Sequence, residues 1–410
     1  MSDPETARGG PVPRGTSEPI LRAVRPRHWL RSLLRRASTI TAVLAVLASG
    51  TVIAVSGKLL LPFQQVTTLH GRLASIGDFF EDPQVVRILR KHGLRVEVSL
   101  AGSRQVATGS LEGLDFVFPS GKPASDLIWD HRHHQGLYEN SSQPFESPLV
   151  LASFREYAET LVDQGIAVPQ PAAPGQPQLY YTIDMSKFLK RTADSPSWND
   201  LGVARHGLPN GNAVVAQTSD ICDSNSADSY LSLVAFAAND NRPPTEDEVP
   251  DVARRIKGLL LQQSPSDDLY SSYTSAHGPS TDPIAVLYEH QYLAYQAGYQ
   301  AAHGGVDTER VLLYPKSPSR SQPHFIALDR KADRLGTLLG KDPELRRRAT
   351  ELGYQILPDD NSQALDRYLD SRHIPSPNTY VNDLTEAKMP PWGVLEDMIA
   401  AVKPCPTVAD

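Results

Sequence analysis

The chain has 410 residues, 40% of them hydrophobic and 21% charged, and a formal net charge of −7. Residues 1–36 hold eight Arg against three acidic residues, so the remainder carries −12. That acidic balance excludes nucleic acid as a partner, because neutralising phosphates needs a positive surface.

The first twenty residues are rich in Pro, Gly and Ser and are expected to be disordered. Arg22, Arg25, Arg27, Arg31, Arg35 and Arg36 then precede residues 37–57, ASTITAVLAVLASGTVIAVSG, which carry no charge. This segment is long enough to cross a bilayer as one helix, and the arginines put its N-terminal side in the cytoplasm. A cleaved signal peptide is the competing reading, but signal h-regions are shorter than this one. The expectation is a single-pass cell-membrane protein whose C-terminal region folds outside the cytoplasm. Cys222 and Cys405 fall on that exterior side, as one disulfide or as two separate thiols.

Beyond the anchor, strand and helix patterns alternate. Leu69–Ile76 reads as a strand. Asp82 caps a helix with Pro83 at its first position, and Gly93 ends it. Leu94, Val96, Val98 and Leu100 alternate with polar residues as a second strand, and Leu114–Phe118 forms a third. Ser153 and Glu156 fit a capping box for a helix that ends at Gly165. Ala213–Thr218 is a buried-strand candidate, and Ala227, Tyr230, Leu231, Val234 and Ala238 follow at helical spacing. Ile284–Tyr288 and Val311–Tyr314 read as further apolar strands, with a helix beginning near Glu289. Asp342-Pro343 repeats the cap-then-proline start, and residues 392–402 form a last amphipathic helix. Strands separated by helices imply an α/β fold with mainly parallel, doubly wound sheets.

The stretches FFEDPQVVRILRKHGLRVEVSLAGSR, GLDFVFPSG, TSDICDSNSADSYLSLVAFAAN, DPIAVLYEHQYL and VLLYPKSP, in that order, carry a resemblance. The chain resembles the type II periplasmic solute-binding proteins, and more narrowly the membrane-anchored substrate-binding-domain proteins of actinobacteria. The resemblance implies two α/β lobes joined by crossing strands, with ligand held between them. Its lobes would be 66–147 with 306–410, and 148–305, the chain returning to the first near Val311.

Open α/β sheets bind ligands beyond the carboxyl ends of their strands. In this chain those positions hold Ser75 and Gly77, then Gly102, Ser103 and Arg104, then Pro119, Ser120 and Gly121. Ser224, Asn225 and Ser226 open a helix in the other lobe, where free N–H groups favour an anion, and Tyr288 and Glu289 could close the cleft. Arg104 adds a forked donor for carboxylate, phosphate or sulfate. The plainer readings are helix caps, turn glycines and a solvated arginine.

His131, His133 and His134 are the one dense metal-type cluster, but they lack an acidic or cysteine partner and read as a polar surface helix. No metal and no cofactor is expected. G-x-S-x-G, H-E-x-x-H and phosphate-loop motifs are all missing from the sequence. The leading expectation is therefore a non-catalytic, membrane-tethered, extracytoplasmic solute-binding protein closing on a small, mildly preferred anionic solute. A membrane permease or a sensor is its expected protein partner. The rivals are a cell-surface interaction or sensor module that keeps the fold without a ligand, and an extracytoplasmic hydrolase.

Overall fold

The computed structural model describes residues 66–222, 224–266, 268–357, 363–378 and 386–405. The leader 1–36 and the apolar segment 37–57 lie outside the described residues. Among the described residues no helix is long and apolar enough to cross a membrane.

The first lobe begins with β1 (Thr67–Leu73), a one-turn helix (Gly77–Glu81), α1 (Pro83–Lys91) and β2 (Leu94–Leu100). It continues with α2 (Ser103–Thr108), β3 (Phe116–Phe118), α3 (Lys122–His134) and β4 (Asn140–Ser142). Helix α1 starts where the sequence predicts. The Asp82 carboxylate accepts the N–H groups of Gln84 and Val85, and Pro83 has no N–H to leave unpaired. Such a cap contributes about 1 kcal/mol. The sheet runs β2-β1-β3-β11-β4, with β11 (Phe325–Ala327) returning from far along the chain. Phe79, Phe80, Phe116, Phe118, Phe145, Phe325 and Tyr354 pack beneath it with neighbouring ring centroids 4.8–6.4 Å apart. Each aromatic pair adds about 0.5–1.5 kcal/mol beyond its buried area.

Strand β5 (Phe145–Phe154) joins the lobes, and all ten of its residues are buried. Phe145 belongs to the first lobe's core and Leu149 to Phe154 to the second's. Near its start β5 pairs with β12 (Gln355–Ile356) and β10 (Arg320–Ser321). Farther on it pairs with β8 (Ile284–Tyr288) and β9 (Arg310–Pro315). The second sheet extends from β9 through β7 (Tyr180–Ile183) to β6 (Ala167–Pro169). Around it lie α4 (Arg155–Asp163), α5 (Met185–Thr192), α6 (Asn225–Ala238), α7 (Val249–Leu261) and α8 (Glu289–His303). Helix α6 is buried almost all round, the mark of a core helix rather than a surface one. The chain recrosses through β10 and β11. It then forms α9 (Asp333–Lys341), α10 (Pro343–Glu351), β12, α11 (Gln363–Ser371) and α12 (Trp392–Val402).

Four expectations change. The sheets are mixed rather than mainly parallel: β1 pairs parallel with β2 and β3, and β7 with β9, but β5 is antiparallel to all four of its partners. A strand that threads both lobes meets the returning chain head to tail. Secondly, the return comes after β9, which stays in the second sheet. Residues of α11 and α12, among them Leu365, Leu369, Val394, Leu395, Met398 and Ile399, pack on the second lobe's core, not the first's. Thirdly, Ser153 caps nothing: β5 runs on to Phe154, and the Ser153 hydroxyl donates to the Pro283 carbonyl at 2.7 Å. Finally, residues 213–218 form no strand: Gln217 meets β8 through a single bridge to Ala285, and Ala213 bridges to Ser197 outside the sheet.

Candidate functional site

The loops after β1 and β3 and the start of α2 meet through serine hydroxyls. The Ser75 N–H and hydroxyl both donate to Ser120 Oγ, at 2.7 and 2.6 Å. The Ser120 N–H donates to Ser103 Oγ at 3.0 Å, and its carbonyl accepts from the Ser321 hydroxyl at 2.8 Å. Ser103 and Ser120 are fully buried, so each bond replaces water that cannot enter. Ser321 sits on β10, one of the crossings, and therefore ties this serine knot to the hinge.

From the second lobe, Asn225 Nδ2 donates to the Tyr288 hydroxyl at 2.8 Å. Burial pushes the Tyr288 hydroxyl up, while hydrogen bonds with Asn225, Ser321, Ser229 and Ser75 oppose that shift. Ser75 belongs to the first lobe and Tyr288 to the second, so this phenol is one place where the lobes touch. Gly121 packs closely there: a Cβ would stand 2.9 Å from Asn225 Oδ1 and would push that amide aside. Ser224 makes no capping bond; its hydroxyl pairs with Ser226 at 2.9 Å, and Ser226 pairs with Ser219 at 3.3 Å.

Beside this seam lies a cavity of about 280 Å³. Ser75 and Asp78 line it from the first lobe; Ser219, Ser226, Asp268, Tyr270, Tyr288 and Gln291 line it from the second. A larger cavity, about 1110 Å³, lies among β4, α9, α10 and α11 and holds none of the residues gathered at the seam.

Of the residues singled out by sequence, Ser75, Ser226 and Tyr288 line the interlobe cavity, and Ser103, Ser120 and Asn225 brace it from behind. Pro119 contributes a carbonyl that accepts the His324 N–H at 3.2 Å. Gly102 precedes α2 in extended backbone, and Gly77 is a packing glycine whose Cβ would strike Leu100. Two positions depart from their expected roles. Glu289 is fully buried away from the cavity, accepting from Tyr314 Oη and Gln355 Nε2, both at 2.8 Å. Arg104 is engaged by Glu396 of α12 at 2.5 Å, each side chain about a quarter exposed. Burial, and then Glu396 beside it, hold the Asp228 carboxyl well above the usual carboxylate range, with Arg104 only partly opposing. Asp228 Oδ1 has no hydrogen-bond partner among the described residues.

Sequence reasoning missed Asp78, Ser219, Asp268, Tyr270, Gln291, Ser321 and Glu396. Asp78 had a readable signal, one residue beyond Gly77 in a strand-end loop. Ser321 and Glu396 had none, because only the crossing and the packing of α12 bring them in.

His131, His133 and His134 are exposed on α3, where His133 stacks on Trp129 with centroids 4.7 Å apart. Among the described residues no group of three His, Cys, Asp or Glu is placed to hold a metal ion. Cys222 and Cys405 are bonded to each other.

No protein-family profile matches the sequence, and no curated protein does. Solved structures do match. The fold is similar to the sulfate-binding protein SubI from Mycobacterium tuberculosis, at 13% identity over 76% of this chain and 93% of that one, TM-score 0.39. It is similar to iron-bound HitA from Pseudomonas aeruginosa, at 10% identity over 82% and 97%, TM-score 0.48. A substrate-binding protein of an ABC transporter from Agrobacterium tumefaciens matches at 11% identity over 83% and 96%, TM-score 0.47.

Proposed function

We propose that this protein is a solute-binding protein that closes two lobes around a small molecule, with no catalytic step. The observation that carries this reading is the interlobe cavity, with walls from both lobes and crossing strands beside it. Strands that cross between lobes act as a hinge. A solute touching both walls stabilises the closed form by its greater affinity for it. At about 280 Å³ the cavity is just under the range that holds drug-sized ligands, so the solute is small.

The protein is tethered by residues 37–57, with both lobes outside the cytoplasm. The arginine cluster before that segment supports this orientation, and the Cys222–Cys405 bond supports an oxidising compartment. Tethered in this way, it hands solute to a membrane permease or reports its presence to a sensor. The engagement of Arg104 by Glu396 removes the sequence-level reason to prefer an anion. That direct lobe-to-lobe pair also favours one alternative, an interaction module that stays closed without a ligand.

Native mass spectrometry of the purified full chain in detergent distinguishes the two. We expect one small molecule per chain, captured on purification or from a solute pool, and lost in the cavity-filling variant Ser226→Trp. A chain that captures nothing from any pool sinks the receptor reading and leaves the interaction module.

A further inference from the structure

Resting on the solute-binding reading, we infer that the interlobe cavity takes a small cationic solute, a compact amine or guanidinium compound, whose charged group faces Asp78 and Asp268. The cavity's ionisable acid lining comes from both lobes, and among the described residues no Lys, Arg or His lines it. Asp78 lies on the one-turn helix after β1, and Asp268 at the start of a short helix in the second lobe. Neither has an ion-pair partner among the described residues, although Asp268 Oδ1 accepts the Ser271 N–H at 3.2 Å. Both remain open to solvent, so a ligand can reach them.

Three further observations point the same way. Glu81 adds a like charge near Asp78, and partial desolvation followed by that neighbour holds the Asp78 carboxyl above its ordinary range, although the residue stays open to solvent. A carboxylate so placed gains from a cation and repels an anion. The Tyr270 and Tyr288 rings form part of the wall, and aromatic rings attract cations through their quadrupole. Arg104, the cation best suited to an anionic solute, is spent on Glu396 and does not line the cavity.

This chemistry also supplies a reason for closure. Asp78 stands on one lobe and Asp268 on the other, so a cation held in the cavity meets a carboxylate from each. A cation between them gains two attractions, each stronger once water is excluded. A positively charged solute stabilises the closed form through these two side chains. Ser75, Ser219, Ser226 and Gln291 can accept from the remaining N–H groups.

The test is calorimetric titration of the full-length chain in detergent with putrescine, agmatine and choline, alongside sulfate, phosphate and glucose. We expect at least one of the cations to saturate a single site while the anions and glucose do not. Asp78→Asn and Asp268→Asn, which keep shape and, at 268, the helix cap, should each weaken that binding tenfold or more, with unchanged thermal melts. Raising the salt should weaken it as well. Saturation by sulfate, phosphate or glucose, with both Asn variants unaffected, would overturn the cation while leaving the solute-binding cleft intact. Amine binding that survives Ser226→Trp would place it on the acidic surface instead and overturn the proposal. Failure of every titrant, with nothing captured in the native mass measurement, removes both readings together.

Discussion

At the scale of single residues, the hinge holds a pair of neighbours with opposite pH behaviour. Glu289 is fully buried, and although Tyr314 and Gln355 hydrogen-bond to it, burial pushes its carboxyl up to about 7. Below pH about 4.5 the folded and unfolded chains both hold that proton, and the residue costs nothing. As pH rises toward 7 the unfolded chain releases its proton first, so stability falls by about 3 kcal/mol in total and then levels off. His290 acts in the other direction. Burial holds its imidazole down to about 3, so stability is lost as pH falls from 6.5 through that value and the unfolded chain gains a proton. Glu289→Gln should therefore melt higher than the parent at pH 8 and nearly with it at pH 4.5, by thermal unfolding followed with circular dichroism. Equal melting differences at both pH values would mean that Glu289 is ionised in the fold without penalty. Nothing in the sequence marked this residue as buried. A Glu opening a helix reads as a dipole partner in water, and only the packing of β8 against β5 encloses it.

Element by element, what could be read in the sequence was what is local. Asp82-Pro83 and Asp342-Pro343 both cap helices as expected, because a carboxylate two and three residues before its N–H targets needs no tertiary help. Ser153 and Glu156 carried the same local signal, yet strand pairing prevailed: five consecutive ladder positions with β8 outweigh one cap. The terminal helix was legible as a helix but not by address, since an apolar face fits either core. What fixes α12 on the second lobe is visible only in the fold. The Cys222–Cys405 bond, the Lys403–Asp220 pair at 2.6 Å and the Lys257 bond to the Ala401 carbonyl all grip its end. The disulfide closes a loop of 183 residues, so replacing both cysteines with Ala should cost about 2–5 kcal/mol, chiefly by freeing the unfolded chain. Hydrogen exchange should then quicken along residues 392–402 before it quickens in β5. Protection unchanged along α12 would show that Val394, Leu395, Met398, Ile399 and Val402 hold it without the covalent tie.

For the whole molecule, the grip on α12 matters because that helix reaches across to the other lobe. Strand-end serines could be picked out of the sequence, since a strand's exit loop is a position in local order. The two halves of the lobe contact could not, because Arg104 and Glu396 are 292 residues apart and meet only once α12 has docked. Their pair is about three-quarters buried and stands beside Asp228, whose carboxyl is held well above the usual carboxylate range by burial and by Glu396 itself. Guanidinium and carboxylate in such a setting are stabilised mainly by each other, and separating them as the lobes open exposes both to water. The gain on closure is therefore a difference: Coulomb attraction less the dehydration of two ions, of the order of 1–3 kcal/mol for a charge-assisted bond. Glu396→Gln keeps the side chain's shape and one hydrogen bond while removing the charge, so the closed form should lose about 1–2 kcal/mol of its advantage. Without solute, that variant should scatter X-rays with a larger radius of gyration than the parent, and saturating solute should restore the parent value. If the variant's radius matches the parent's in both states, the serine knot and Tyr288 alone hold the lobes together. If solute fails to restore it, Glu396 supports the bound state itself rather than the balance between open and closed.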